Sequence, residues 1–449
     1  MQGQASAKVL RARRSGALRG HATIPGDKSI SHRALVLGAL AVGETRVEGL
    51  LEADDVLRTA AAMRALGAEV ISDGAGAWRI YGRGVGGLSE PQDVMDFGNS
   101  GTGSRLVMGA IATTPMTAVF TGDASLRRRP MGRVLRPLAA FGTEYFARDD
   151  EFMPVAVRGA ERPLAIECEV TVPSAQVKSA LLLAALNAPG RSRITQRERT
   201  RDHTEKMLGA FGAKLSVEAL AEGEAIEIEG EHELRPASIF VPADPSSAAF
   251  AIVAATIVPG SDVVIPSVLL NSRRAGLIDV LTEMGANIIV ENRRESGGET
   301  IGDLKVRHAP LRSVDVAPER APSMIDEYPV LAVAAAFAEG RSKMSGLEEL
   351  IVKETDRLAA TVNGLRACGV RAEANGGQMV VEGCGALGVP GGARVAAEMD
   401  HRIAMSFLTL GLASRDPVSI DDASMIGTSF PSFESLMRDL GADISVPNA

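Results

Sequence analysis

The sequence predicts an α/β protein made of six β-α-β-α-β-β units, grouped three to a lobe. The first observation is a repeated opening, in which Gly, Pro, Ser or Asp leads into an apolar run. The openings are IPGDKSISHRALVLGALAVGE from Ile24, FGNSGTGSRLVMGAIATTP from Phe97 and VPSAQVKSALLLAALNAPG from Val172. They continue with VPADPSSAAFAIVAATIVPG from Val241, APSMIDEYPVLAVAAAFAEG from Ala321 and MDHRIAMSFLTLGLASRDP from Met399. The second is a matching set of closings: RALGAEV, AAFGTEY, GAFGAKL, TEMGANI, RACGVRA and RDLGADI. The third is the period, about 75 residues, too long for a propeller blade or solenoid repeat and long enough for a small supersecondary fold.

The first unit shows how each element is read. Ile30, Ala34, Leu35, Leu37 and Leu40 fall at helical spacing within Ser29–Leu40. Gly43 follows, then the strand-like TRVEGL. Leu57, Ala60, Met63 and Leu66 form a second helical face, which Gly67 ends as a C-cap residue does. EVIS and WRIYG then read as a pair of strands. A break near Pro242 predicts a first lobe over residues 22–240 and a second over 241–449. From the repeats alone, residues 1–21 belong to either lobe. Ligand clefts favour domain interfaces, so the active site is expected between the lobes.

Composition narrows the function. The chain has 449 residues, 45% of them hydrophobic and 23% charged, which excludes a largely disordered chain. Its 48 Lys and Arg against 56 Asp and Glu leave a net charge of −8, which argues against a nucleic-acid binder. Cys168, Cys368 and Cys384 are too few and too far apart for a disulfide framework or a zinc motif. No apolar run approaches the ~20 residues of a membrane span. Lys8, Arg11, Arg13, Arg14 and Arg19 give a basic N-terminal stretch, read as an arm leading into a first strand. A cytoplasmic protein is expected.

The openings have a chemical meaning. GDKSIS, NSGTGS and PSAQVKS place small residues and hydroxyls at helix starts, where unpaired N–H groups and the helix dipole attract anions. One such motif alone is equally a capped helix start. Here the openings also carry Lys28 and Arg33, Arg105, and Lys178. More cations precede the second helices: Arg127, Arg128, Arg129, Arg133 and Arg136, then Arg197, Arg199 and Arg201, then Lys353 and Arg357. On an acidic chain, that concentration predicts a cleft that gathers anionic small molecules. Gly82–Gly87 fits G-x-G-x-x-G but runs into LSEPQDV rather than a helix, so no dinucleotide site is read there. His32, His203 and His401 lie in the motif regions at spacings that suggest no metal site.

The motifs taken together resemble one family. PGDKSISHRAL, DFGNSGTGSRL, GDASLRRRPMGRVLRPL, PSAQVKSALLLAAL, TRDHTEKML, SMIDEYPVLA, VKETDRL and DHRIAMS are similar to the 5-enolpyruvylshikimate-3-phosphate synthase family, chiefly its bacterial class II, over nearly the whole chain. The resemblance implies a two-lobed enolpyruvyl transferase fold, with residues 1–21 joining the second lobe. It implies transfer of the enolpyruvyl group of phosphoenolpyruvate to the 5-hydroxyl of shikimate 3-phosphate, through a tetrahedral intermediate and with release of phosphate. No metal or organic cofactor is implied, and a monomer is expected. The reaction protonates a vinyl carbon and deprotonates a hydroxyl, so it needs an acid and a base. By resemblance these are Lys28, Asp326 as the base, and Glu354 as a donor or relay. Shikimate 3-phosphate is expected on Lys28, Ser29, Arg33, Ser174, Ala175, Gln176, Arg201, Asp326 and Lys353. Phosphoenolpyruvate is expected on Lys28, Asn99, Gly101, Thr102, Arg129, Gln176, Arg357 and Arg402.

Two positions depart from the class I pattern. Ala175 stands where a second serine precedes the glutamine, and GTSFP at 427–431 lacks the preceding lysine. Gly101 stands where a larger residue accompanies glyphosate tolerance in class II, so sensitivity to glyphosate is expected. Two other functions compete with this one. A related transferase acts on UDP-N-acetylglucosamine but carries a reactive cysteine in its first-lobe loop, whereas GDASLRRRPMG has none. A non-enzymatic anion-binding protein on this scaffold needs no Asp326 beside Lys28. Like charges lining a cleft predict closure on binding shikimate 3-phosphate.

Overall fold

A computed structural model describes residues 7–447. By internal contacts the chain forms two units. One holds the residues up to Pro25, Pro242–Arg294 and the chain from Thr300 onward; the other holds Gly26–Val241 and Glu295–Glu299. The outermost residues of the predicted second lobe, 1–6 and 448–449, lie outside the described residues.

Among the described residues each unit contains three four-stranded sheets of one pattern. The unit centred on Phe97–Arg158 shows it whole. Strand Met95–Asp96 leads to helix Gly101–Ile111, strand Thr117–Thr121 lies parallel to the first, and helix Gly132–Leu138 follows. Strands Glu144–Arg148 and Phe152–Arg158 then form a hairpin, with Phe152–Arg158 inserted against Thr117–Thr121.

The six closing glycines share one physical role. Gly67, Gly142, Gly212, Gly285, Gly369 and Gly441 all have φ between 79° and 101°, the left-handed conformation that ends a helix without a Cβ penalty.

Continuity along the chain is where the sequence reading needs correcting. Three sheets are completed by a strand from elsewhere in their own unit. Ser238–Phe240 is the parallel opening strand beside Val42–Glu48, and Arg19–His21 takes that place beside Asp262–Leu269. Leu10–Arg13 lies antiparallel between Val418–Ile420 and Asp443–Ser445, closing the last sheet. Short strands carry little periodic signal, and nothing local marks a partner two hundred residues away.

Buried helices then position the functional residues. All thirteen residues of Pro245–Ile257 are buried, as are those from Tyr328 to Ala336 in Tyr328–Phe337. Helices apolar on every side sit inside, so their polar openings mark where chemistry reaches them.

Candidate functional site

In the unit containing Gly26–Val241, three helix openings carry the predicted residues. Asp27 caps helix Lys28–Leu40 by accepting from Ile30 N at 2.8 Å, which fixes Lys28 at the first helical position. The Lys28 ammonium pairs with Asp55, buried at the start of helix Asp54–Ala65. One turn on, Thr59 Oγ1 meets His32 Nδ1 at 2.8 Å. Burial, then Lys28 and Arg33, push the His32 pKa well below its ordinary value, so the ring is neutral.

Ser100 caps helix Gly101–Ile111, and four residues expected to hold phosphoenolpyruvate, Asn99, Thr102, Arg129 and Gln176, interlock around that cap. Arg129 Nη2 donates to Asn99 Oδ1 at 2.6 Å and its Nη1 to Asn99 O at 3.3 Å. Asn99 Nδ2 donates in turn to Asp123 at 2.7 Å. Gln176 bridges to the third opening, accepting from Arg105 Nη1 at 2.5 Å and donating to Thr102 Oγ1 at 2.8 Å. Gly101 sits among these guanidinium groups.

Of the residues expected to hold shikimate 3-phosphate, Ser29, Arg33, Ser174, Ala175, Gln176 and Arg201 belong to this unit. Ser174 is the N-cap residue of helix Ala175–Ala185, yet its side chain makes no capping bond. Buried Arg33 donates to Thr204 Oγ1 and Ser179 Oγ, both at 2.7 Å, and to Ser29 O at 2.9 Å. Burial lowers the Arg33 pKa to about 10, with Glu205, Asp27 and Glu299 opposing and Arg201 reinforcing the shift, so the group remains a cation at neutral pH. Arg201 therefore lies within electrostatic reach of Arg33.

Lys178, read as a cation of the third opening, has another role. It is fully buried, with Nζ 2.5 Å from Glu205 Oε1 and 3.8 Å from Glu224 Oε1. The loop cations also divide. Arg127, Arg128, Arg136, Arg197 and Arg199 are exposed, while Arg129 turns inward. Asp202, His203 and Glu299 bring ligand-type atoms within 4.8 Å of one another, a grouping no spacing announced. Lys206 Nζ, 2.8 Å from Glu299, already supplies a cation there.

The other unit carries the acidic half of the predicted set. Arg357 opens helix Arg357–Ala367, capped by Asp356, and all three guanidinium nitrogens face carboxylates. Nε lies 2.7 Å from Asp400, Nη1 3.2 Å from Asp326 and Nη2 2.5 Å from Glu354. Burial opposes the Arg357 charge, but Asp400, Glu354 and Asp326 together hold its pKa above the ordinary value. Lys353 Nζ lies 3.4 Å from the same Asp326 Oδ1. Arg402 Nη1 donates to Asp326 O at 3.2 Å and lies 3.4 Å from Glu327 Oε1.

Two of the acids stand just ahead of helices without capping them. Asp326 does not cap a helix; it lies in the turn between helices Ala321–Met324 and Tyr328–Phe337, whose N-cap residue is Glu327. Glu354 lies two residues before the capping Asp356. Asp55, Asp123, Asp400, Glu327 and Arg274, which the sequence reading did not single out, pair with predicted residues or with one another: Asp55 with Lys28, Asp123 with Asn99, Asp400 with Arg357, and Glu327 with Arg402 and Arg274. Asp400 had a usable signal, an aspartate opening a helix directly before His401 and Arg402; it accepts from the backbone of Arg402 and Ile403.

One unit carries helix openings rich in cations and the other an Asp326 and Glu354 pair on Arg357, groups suited to an enzyme that transfers anionic substrates. A family model described as EPSP synthase (3-phosphoshikimate 1-carboxyvinyltransferase) matches residues 12–437. A 3-phosphoshikimate 1-carboxyvinyltransferase of Cereibacter sphaeroides is 59% identical over 445 residues, covering 99% of this chain and 100% of that protein. Its counterpart in Paracoccus denitrificans is 57% identical over 435 residues, covering 97% and 98%. Among solved structures, EPSP synthase from Acinetobacter baumannii aligns with a TM-score of 0.86 at 38% identity, covering 98% of this chain and 100% of that one. The enolpyruvyl transferase NikO from Streptomyces tendae aligns at 0.77 and 20% identity over 99% and 100%, a likeness of fold alone. The chain belongs to the EPSP synthase family.

Proposed function

We propose that this protein transfers the carboxyvinyl group of phosphoenolpyruvate to the 5-hydroxyl of shikimate 3-phosphate and releases phosphate, a step of aromatic amino acid biosynthesis. Family membership across nearly the whole chain supports the reaction. The observation that carries the site reading is the Asp326 carboxylate, flanked by Lys353 and Arg357. Asp326 takes the proton of the 5-hydroxyl as its oxygen attacks C2 of phosphoenolpyruvate. Lys28, with Glu354 as donor or relay, delivers a proton to C3, giving the tetrahedral intermediate. Loss of a C3 proton and cleavage of the C2–O bond to phosphate restore the double bond and free phosphate.

In this reading Ser29, Arg33, Ser174, the Ala175 backbone, Gln176, Arg201 and Lys353 hold shikimate 3-phosphate. Asn99, Gly101, Thr102, Arg129, Gln176, Arg357 and Arg402 hold phosphoenolpyruvate, whose carboxylate and phosphate suit planar guanidinium forks. We take residues 22–240 as one lobe and 1–21 with 241–449 as the other, in a cytoplasmic monomer. No described helix is long and apolar enough to cross a membrane. Phosphate release from phosphoenolpyruvate, assayed with shikimate 3-phosphate and separately with UDP-N-acetylglucosamine, tests the reaction. Release with the first acceptor alone is expected; release with the second, or with neither, overturns it.

A further inference from the structure

Glu327 is the residue after Asp326, and only 2% of its side chain is exposed. Its Oε1 accepts from Arg274 Nη1 at 3.0 Å, from Ser246 Oγ, and from Arg402 Nη1 at 3.4 Å. Arg274, equally buried, also donates through Nη2 to Asp244 Oδ1 at 3.1 Å and to Ser246 Oγ. Asp244 in turn caps the fully buried helix Pro245–Ile257. Two cations thus share one carboxylate, and among the described residues Arg274 alone of the two pairs with a second acid, Asp244. The same Arg402 nitrogen that meets Glu327 also donates to the backbone oxygen of Asp326.

We propose that Glu327 is a positioning residue for the transfer reaction: it fixes the Arg402 guanidinium, and with it the peptide of Asp326, in the geometry that receives phosphoenolpyruvate. The proposal rests on the reading of Arg402 as a phosphoenolpyruvate contact. The argument is one of charge. Without the Glu327 carboxylate, Arg274 and Arg402 face each other at close range in a poorly solvated site, where repulsion is strong. Arg274 keeps Asp244 and stays. Arg402, whose side chain is 12% exposed against 2% for Arg274, is the one that swings away. Its reach toward the substrate is lost before the fold is.

The test is steady-state kinetics of the full chain with E327Q, R402A and the double variant, alongside urea denaturation of each. E327Q is expected to raise the KM for phosphoenolpyruvate about tenfold, leaving the KM for shikimate 3-phosphate within about twofold. R402A is expected to raise the same KM, and the double variant to be no worse than R402A alone, because Glu327 acts through Arg402. If R402A leaves that KM unchanged, the substrate reading of Arg402 fails and this proposal falls with it. If R402A raises the KM but a stably folded E327Q does not, or the two effects add in full, the positioning role alone is overturned. Should E327Q not fold, E327D keeps the charge on a shorter arm. Its expected rise of about threefold should likewise vanish in the R402A background, and full additivity would again overturn the role.

Discussion

The Arg357 guanidinium and the Asp326 carboxylate lie 3.2 Å apart, and Arg357 holds Glu354 and Asp400 at the same time. In the proposed reading, a substrate carboxylate arriving at Arg357 takes a place that an acid of the protein occupies. That competition makes the planar three-nitrogen fork essential, since a lysine offers a single point charge. Arg357→Lys is expected to raise the KM for phosphoenolpyruvate by about tenfold or more, the loss of one charge-assisted hydrogen bond. Arg357→Ala, which strands the fully buried Asp400, is expected to lose on the order of 3–5 kcal/mol of stability in urea denaturation. An unchanged KM in the lysine variant would remove Arg357 from the substrate site.

Gly101 bears on inhibitor selectivity. A Cβ there would lie 3.1 Å from Arg129 Nη1 and 3.3 Å from Arg105 Nη1. Both are flexible side-chain ends, so the helix can accept alanine while the guanidinium groups shift by a few tenths of an ångström. Glyphosate, taken to occupy the phosphoenolpyruvate site, should be crowded more than the substrate. Gly101→Ala is expected to raise the ratio of glyphosate Ki to phosphoenolpyruvate KM by about tenfold, within the usual reach of one methyl group. Parallel inhibition curves at fixed shikimate 3-phosphate check this, and an unchanged ratio contradicts it.

The buried pair of Lys178 and Glu205 gives a contrasting expectation. Lys178→Met leaves Glu205 and Glu224 buried without their cation, at a cost of about 3–5 kcal/mol. The KM values of the folded variant should stay within about threefold of the parent, since Lys178 touches no substrate in this account. A large rise in the KM for shikimate 3-phosphate with unchanged stability would return Lys178 to the anion site.

His32 predicts a pH dependence. Its folded pKa is depressed, so below its unfolded value of 6.5 the unfolded chain binds a proton that the folded ring refuses. Stability therefore falls as pH drops below 6.5, by up to about 1.4 kcal/mol per pH unit from this group. Between pH 7 and pH 5.5 the urea midpoint should fall less in His32→Gln than in the parent. Equal falls would show that His32 titrates normally.

The sequence made the repeating units legible because their signals are local. Helical periodicity marks Ser29–Leu40, and a left-handed glycine follows each closing helix. What it hid is nonlocal. Leu10–Arg13 finds its partners more than four hundred residues away, and Ser238–Phe240 pairs with a strand near the start of its unit. The cations of the site were visible as a cluster of like charge. Their counter-ions were not, because Asp55 and Glu327 each stand next to another acid at an ordinary helix opening, and only folding shows which cation each one meets. Lys178 misled for a related reason. It stands beside a helix opening, but the apolar run Ala180–Leu183 after it already marked a buried helix.

Asp326 is where the chemistry is tested most directly. Asp326→Asn keeps the size of the side chain and removes the base, so one preparation serves for calorimetry with shikimate 3-phosphate and for phosphate-release kinetics. Binding should persist within about tenfold of the parent while turnover falls by about 10²–10⁴-fold, the range for losing a general base. Turnover within a few-fold of the parent would contradict the assignment of Asp326 as the group that activates the 5-hydroxyl.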